Sequence, residues 1–394
     1  MGKKCRGGVT RRAQMIPQVL PLAAMPPSNM ISTGARLAEF IAALGRGGWV
    51  ALDTEFMRER TYAPQLCLVQ LDDGENAACI DAPALRDLSP LAELLADESR
   101  VKIVHSCRQD LEALDTRGRL PKDFRNLYDT QLAAAFCGYG AQVSYAALVE
   151  ELCNVHLPKS HTRADWSRRP LPPAQIQYAL DDVKYLQPLR GALDRLLEKN
   201  GRADWLREEC ARAADPASYR FDPAGAWRRV KGAGRLDPAG RACVKELALW
   251  RERRARARDL PRNWVLPDAA LLQLCRDRPR AEKQLARIEG LAAGLRKHAG
   301  REIVEIVARA EAAAKNDDGG KDEERAGPLT AQQRRLAKEI LKWLEERAKD
   351  AGMSRTLVAA RRDIEDFVRG QTDLPLFGGW RAQFAGEEIR ARYS

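Results

Sequence analysis

The sequence predicts an α/β domain built on a mixed sheet, followed by two small all-α domains. Three observations carry this. Apolar runs of strand length cluster between Trp49 and Val104, after which helical spacing takes over. From Arg235 onward only helical patterning remains, rich in arginine. That helical part also repeats at an offset of 93 residues: Leu247, Trp250, Arg254, Val265, Leu271 and Leu274 align with Ile340, Trp343, Arg347, Val358, Ile364 and Phe367.

Composition bounds the partners. The 394 residues suffice for two or three domains, with 45% hydrophobic and 31% charged residues. A net charge of +11 suits a polyanion, nucleic acid being the commonest. Nine cysteines, odd in number and without a C-x-x-C pair, read as thiols in a reducing, cytoplasmic setting. The four histidines have no metal-ligand spacing, which argues against zinc. No apolar run approaches the ~18 residues of a membrane span.

Taken in order, residues 1–29 contain basic residues and no acid, and read as a disordered tail or a start assigned too early, Met30 being the alternative. Ser32 or Thr33 caps a helix through Leu37, Phe40, Ile41 and Leu44. Trp49 to Phe56 is a strand with Val50, Leu52, Thr54 and Phe56 on one face and Ala51, Asp53 and Glu55 on the other. Two carboxylates on one face of an apolar strand repel each other and are costly to bury, so they call for a cation. Leu66–Leu71 and Ala77–Asp81, around the turn Asp72–Glu75, complete an antiparallel meander. A helix through Leu88, Leu91, Leu94 and Leu95 leads to the buried strand Val101–Val104, and Asp110 falls where the next helix opens. Helical patterning covers Asp129–Leu132, Tyr145–Leu152 and Ala174–Leu197, and in the last of these Tyr178 and Asp182 share one face.

Asp53-Thr54-Glu55, Asp110 within His105–Leu111, and Tyr178-x-x-x-Asp182 resemble the three motifs of the DEDDy-type 3′→5′ exonucleases, most closely the ribonuclease D family. Arg60–Leu66, Asp129-Thr130-Gln131 ahead of Ala133–Gly138, and Lys159–Trp166 extend the resemblance, which covers nearly everything from Met30 on. The sister group has a histidine where this chain has Gln177, so the tyrosine subgroup is implied. The resemblance implies a ribonuclease H-like exonuclease domain over residues 30–215 and HRDC-like domains over 235–314 and 330–394. A charged, flexible linker over 315–329 joins the last two.

Four carboxylates without a histidine cluster or thiolate pair favour hard divalent cations, Mg2+ or Mn2+. By resemblance two such ions bind. Asp53 bridges them, Glu55 and Asp182 complete the site that activates water, and Asp110 serves the second ion. Tyr178 orients the attacking water; a tyrosine ordinarily ionises near ~10, which favours a hydrogen-bonding role. The implied reaction releases nucleoside 5′-monophosphates from single-stranded 3′ ends of structured RNA, tRNA precursors in particular, by a monomer. Lys159 and Arg163, in a polar loop with Trp166, and Arg251, Arg254 and Arg258, in the arginine-rich stretch, are candidate phosphate contacts. Two rival readings are a DNA proofreading exonuclease, which shares the carboxylates, and a non-catalytic RNA-binding protein.

Overall fold

A computed structural model of the chain describes residues 29–45, 48–115, 124–158, 164–220, 222–316 and 329–393. The expected N-terminal tail, all but its last residue, lies outside these residues, as do most of the expected linker and the loop residues Lys159 and Arg163.

The apolar runs become a six-stranded mixed sheet of order β1-β4-β3-β2-β5-β6. Its strands are β1 (Met30–Ile31), β2 (Trp49–Met57), β3 (Gln65–Asp72), β4 (Ala77–Asp81), β5 (Val101–Val104) and β6 (Leu127–Asp129). The β2-β3-β4 meander is antiparallel, as its hairpin-length connections require, and β5 and β6 add in parallel on the far side of β2. β1 and β6 were not expected. At two and three residues they are too short to show a period.

The alternation read along β2 sorts the core. Val50 and Leu52, with Val69 and Leu71, pack against α1 (Gly34–Ala43), α2 (Ser89–Ala96) and α3 (Arg108–Leu114). Thr33 caps α1 through Arg36 N–H. Ala51 and Ile103 face the other way, toward α4 (Thr130–Phe136), α5 (Tyr145–Cys153), α6 (Pro173–Lys184) and α7 (Leu186–Lys199). The expected helix Ala174–Leu197 is therefore two helices, broken at Tyr185, whose N–H donates to the Tyr145 hydroxyl at 3.1 Å. Apolar spacing runs on through the break, so periodicity does not reveal it. Then α8 (Ala203–Ala214) crosses the end of the sheet and α9 (Pro216–Tyr219) returns to α3.

The helical part contains longer helices than its arginine-rich sequence suggested. α10 (Pro238–Arg258) has 21 residues, and α11 (Arg262–Val265), α12 (Asp268–Asp277) and the 24-residue α13 (Ala293–Asn316) follow it. These elements have their own core, which begins upstream of the expected Arg235 edge, at Ala226. A second long-short-short set repeats the first: α14 (Ala331–Asp350), α15 (Arg355–Val358) and α16 (Arg361–Val368), with α15 lying 93 residues after α11. Among the described residues, this second unit forms no separate core. Ala337, Ile340, Leu344 and Trp380 share one with Phe136, Leu193 and Leu206 of the α/β domain.

Candidate active site

Asp53 and Glu55 lie on β2 opposite Gln70 and Leu68 of β3, just before a bulge between Glu55 and Phe56. Bulges bend a strand and re-aim its side chains. Both acids project toward α6, which Ala179, Leu180 and Val183 seat on the sheet. That seating presents Asp182 to the strand. Asp53, Glu55 and Asp182 each offer an oxygen within 4.8 Å of the others. Asp110 arrives from the opposite layer, in the first turn of α3, and its Oδ1 accepts a 2.5 Å hydrogen bond from Thr54 Oγ1. Thr54 sits between the two β2 acids and points the other way, so one strand grips the acids of both layers.

The electrostatics are those of a cation site. Burial, then Asp110, Asp182 and Glu55, push the Asp53 carboxyl well up. Burial, then Asp182 and Asp110, push Glu55 up to about 8. Burial raises Asp110 and Asp182 to about 7 as well, with Asp181 adding to the effect on Asp182. The strongest charged neighbours of Asp53 and Glu55 are all acids, so protons or metal ions must compensate them. Oxygen-only donors in a tight buried group fit a hard divalent cation.

Tyr178 stands one turn before Asp182 on α6, its ring 6.2 Å from that of Trp166. Trp166 is buried and held by Arg169, which donates to its carbonyl at 2.7 Å, to Cys67 O at 2.9 Å and to both Asp81 oxygens at 2.8 Å. Glu55, Arg58, Arg60, Thr61, Trp166 and Ser167 border a cleft of about 640 Å3. The structure thus brings Asp53, Glu55 and Asp182 together, with Asp110 near enough to raise Asp53 and Glu55, and carries Tyr178 one turn before Asp182 on α6.

Three positioning residues escaped the sequence reading. Besides Thr54, Asp129 accepts from Ser106 N–H at 3.0 Å and Cys107 N–H at 2.9 Å, fixing the turn that opens α3, and caps α4 through Gln131 and Leu132. Tyr145 donates to Asp181 O at 2.9 Å and so staples the α6 end. The Asp129-Thr130-Gln131 stretch was a visible signal; Tyr145 carried none.

The expected phosphate contacts fare differently. Arg251 is a correction: it is buried, donating to Leu266 O at 2.9 Å and Asp268 Oδ1 at 2.6 Å, because its helix position faces α12. Arg254 is half-buried over the Trp250 ring and lies 3.7 Å from Glu302. Arg258 is exposed.

The 3′-5′ exonuclease family matches residues 28–198, and the HRDC domain family matches residues 240–307. Ribonuclease D of Acidiphilium cryptum is 38% identical over 375 residues, 93% of either chain. That of Sphingobium indicum is 37% identical over 367 residues, covering 91% of this chain and 92% of the relative. The crystal structure of Escherichia coli RNase D, described as an exoribonuclease involved in structured RNA processing, superposes with a TM-score of 0.80 at 33% identity. It covers 92% of this chain and 97% of that one. The catalytic core of Trypanosoma brucei RRP6, at 22% identity and a TM-score of 0.56, shares the fold. Relatives more than 35% identical and aligned over nine-tenths of the length lead to one conclusion: the chain belongs to the ribonuclease D family of 3′→5′ exoribonucleases.

Proposed function

We propose that this hydrolytic exoribonuclease holds two divalent cations, Mg2+ or Mn2+, on Asp53, Glu55, Asp110 and Asp182, and removes nucleotides singly from unpaired RNA 3′ ends. The observation that carries the reading is the approach of Asp53, Glu55 and Asp182 to within 4.8 Å across β2 and α6. Asp53, Glu55 and Asp182 would hold the first ion, and Asp53 and Asp110 would serve the second. Bound there, the ions supply charge neutralisation for the scissile phosphate and the departing 3′-oxygen. Tyr178 orients the attacking water from α6. Water adds to phosphorus as the P–O3′ bond breaks, the departing 3′-oxygen takes up a proton to become the new 3′-hydroxyl of the shortened RNA, and a nucleoside 5′-monophosphate leaves. Structured RNAs are the proposed substrates, in line with the description of the Escherichia coli relative, and by family resemblance tRNA precursors are proposed among them. We read the unit over 330–394 as a second HRDC-like copy, supported by the 93-residue repeat of its helices.

Asp182→Asn removes one ligand charge while keeping shape. Mononucleotide release from a single-stranded RNA in Mg2+ is expected to fall at least ~100-fold, with the thermal midpoint no lower than wild type. A wild-type rate from this variant would overturn the assignment. A matched DNA oligonucleotide in the same assay separates RNA from DNA preference.

A further inference from the structure

Trp264, in α11, is 62% exposed, the exposed large hydrophobic side chain among the described residues. The other seven tryptophans are buried or half-buried. Leaving so large a side chain in water forgoes roughly 2–3 kcal/mol of burial. The repeat supplies an internal comparison. At the matching corner of the second unit stands Leu357, buried in the core shared with the α/β domain. The carbonyls of Leu357 and Val358 there accept from Arg381 Nε at 3.1 Å. The same corner is thus buried in one copy, whereas the other turns an indole toward solvent.

A backbone tie joins the rim of the cleft to the end of α10, just ahead of this corner. Arg60 and Thr61 border the cleft, and the next residues, Tyr62 and Ala63, donate their N–H groups to Asp259 Oδ1 at 3.2 and 3.5 Å. Asp259 ends α10 in the left-handed region, and Trp264 lies five residues on, within ~18 Å of chain reach. The tie is buttressed by the buried Glu252, which Arg262 approaches to 3.6 Å and which faces the Tyr62 hydroxyl. Arginines stand along this border. Arg256 and Arg258 are exposed on the last turn of α10, and Arg229 sits near Arg262 and Arg108, the latter two residues before Asp110, with Glu252 and Glu112 also close to it. Arginines along a path with an exposed aromatic at its end are what single strands bind: phosphates track the cations, and bases stack on the ring.

We propose that Trp264 is a base-stacking platform for the unpaired RNA segment upstream of the 3′ end, reached from the cleft across the Tyr62–Asp259 tie. It rests on the reading of the cleft as an RNA 3′-end site. The full-length protein in EDTA, titrated into a labelled single-stranded 12-mer RNA, reports binding without cleavage. Trp264→Ala is expected to weaken the Kd about tenfold, equivalent to ~1.4 kcal/mol and within the ~1–3 kcal/mol of one stacked base. Trp264→Phe should restore it. In Mg2+, Trp264→Ala should raise KM on the 12-mer with kcat unchanged, and leave hydrolysis of a dinucleotide, which offers no base beyond the cleft, at the wild-type rate. An unchanged Kd for Trp264→Ala overturns the proposal and points to a protein partner at this corner, and so does an equal loss on the dinucleotide. A wild-type protein that binds the 12-mer through Trp264 but releases no mononucleotide would instead overturn the catalytic reading.

Discussion

Glu55 carries the strain of the gathered acids most visibly. Its carboxyl titrates near 8, against an ordinary 4.5. The folded, metal-free protein therefore binds this proton more tightly than the unfolded chain does. By linkage, stability is lost as pH rises from about 4.5 toward 8, and Asp110 and Asp182, both raised to about 7, act in the same sense. A cation reverses the effect by binding the ionised form. In EDTA, the thermal midpoint is expected to fall between pH 5 and 8, and Mg2+ to raise it more at pH 8 than at pH 5. Glu55→Gln should flatten the EDTA profile. A Mg2+ shift of the same size at both pH values would count against the acids as its source. The five proposed catalytic residues were named in the sequence by their resemblance to the exonuclease motifs; periodicity alone put Asp53 with Glu55, and Tyr178 with Asp182, on shared faces. Thr54 was not legible as a positioning residue: its 2.5 Å bond to Asp110 depends on the approach of α3, which no local pattern encodes.

At the scale of elements, the loop between β5 and α3 decides where Asp110 sits. Ser106 in that loop adopts φ 64°, a conformation rare for a non-glycine residue. The buried Asp129 holds it through two N–H groups and caps α4 with two more. Asp129→Ala leaves those donors without their acceptor, and is expected to destabilise the protein by about 1–3 kcal/mol. It should also lower kcat and raise the Mg2+ concentration needed for half-maximal rate, while KM for RNA holds. Calorimetry with a Mg2+ titration of activity checks both; a destabilised variant with an unaltered Mg2+ requirement would make Asp129 purely structural. The strand that ends in Asp129 is three residues long, so the sequence showed only helix there. The break at Tyr185 was hidden for a related reason: a tertiary hydrogen bond imposes it on a continuous apolar period.

For the whole molecule, the repeat showed that two helical units exist, but not that they are used differently. Apolar spacing reveals that a helix has a face to bury and is silent on what the face meets. The first unit closes a core of its own, whereas the second completes the core of the exonuclease domain. Trp205 of α8 stacks on Trp380 with ring centroids 5.0 Å apart, and Phe136 of α4 meets the same indole edge-on at 5.1 Å. Beneath them lies Glu209, buried, which takes 2.8 Å and 2.9 Å hydrogen bonds from Trp380 Nε1 and Arg381 Nη2. Burial alone would raise this carboxyl; the bonds from Arg381, Arg212 and Trp380 outweigh it and hold it below its ordinary value. Glu209→Ala strands the buried Arg381 without its counter-charge, a loss of about 3–5 kcal/mol. Since α8 and the second unit share one core, that loss should fall on a single transition carrying both the exonuclease domain and residues 331–393. The unit around α10, α12 and α13 should keep its own midpoint, because its core contains neither partner. Scanning calorimetry, read alongside proteolysis of the second unit at rising temperature, distinguishes the cases. If Glu209→Ala released the second unit and left the exonuclease transition where it was, the shared core would not be a cooperative one.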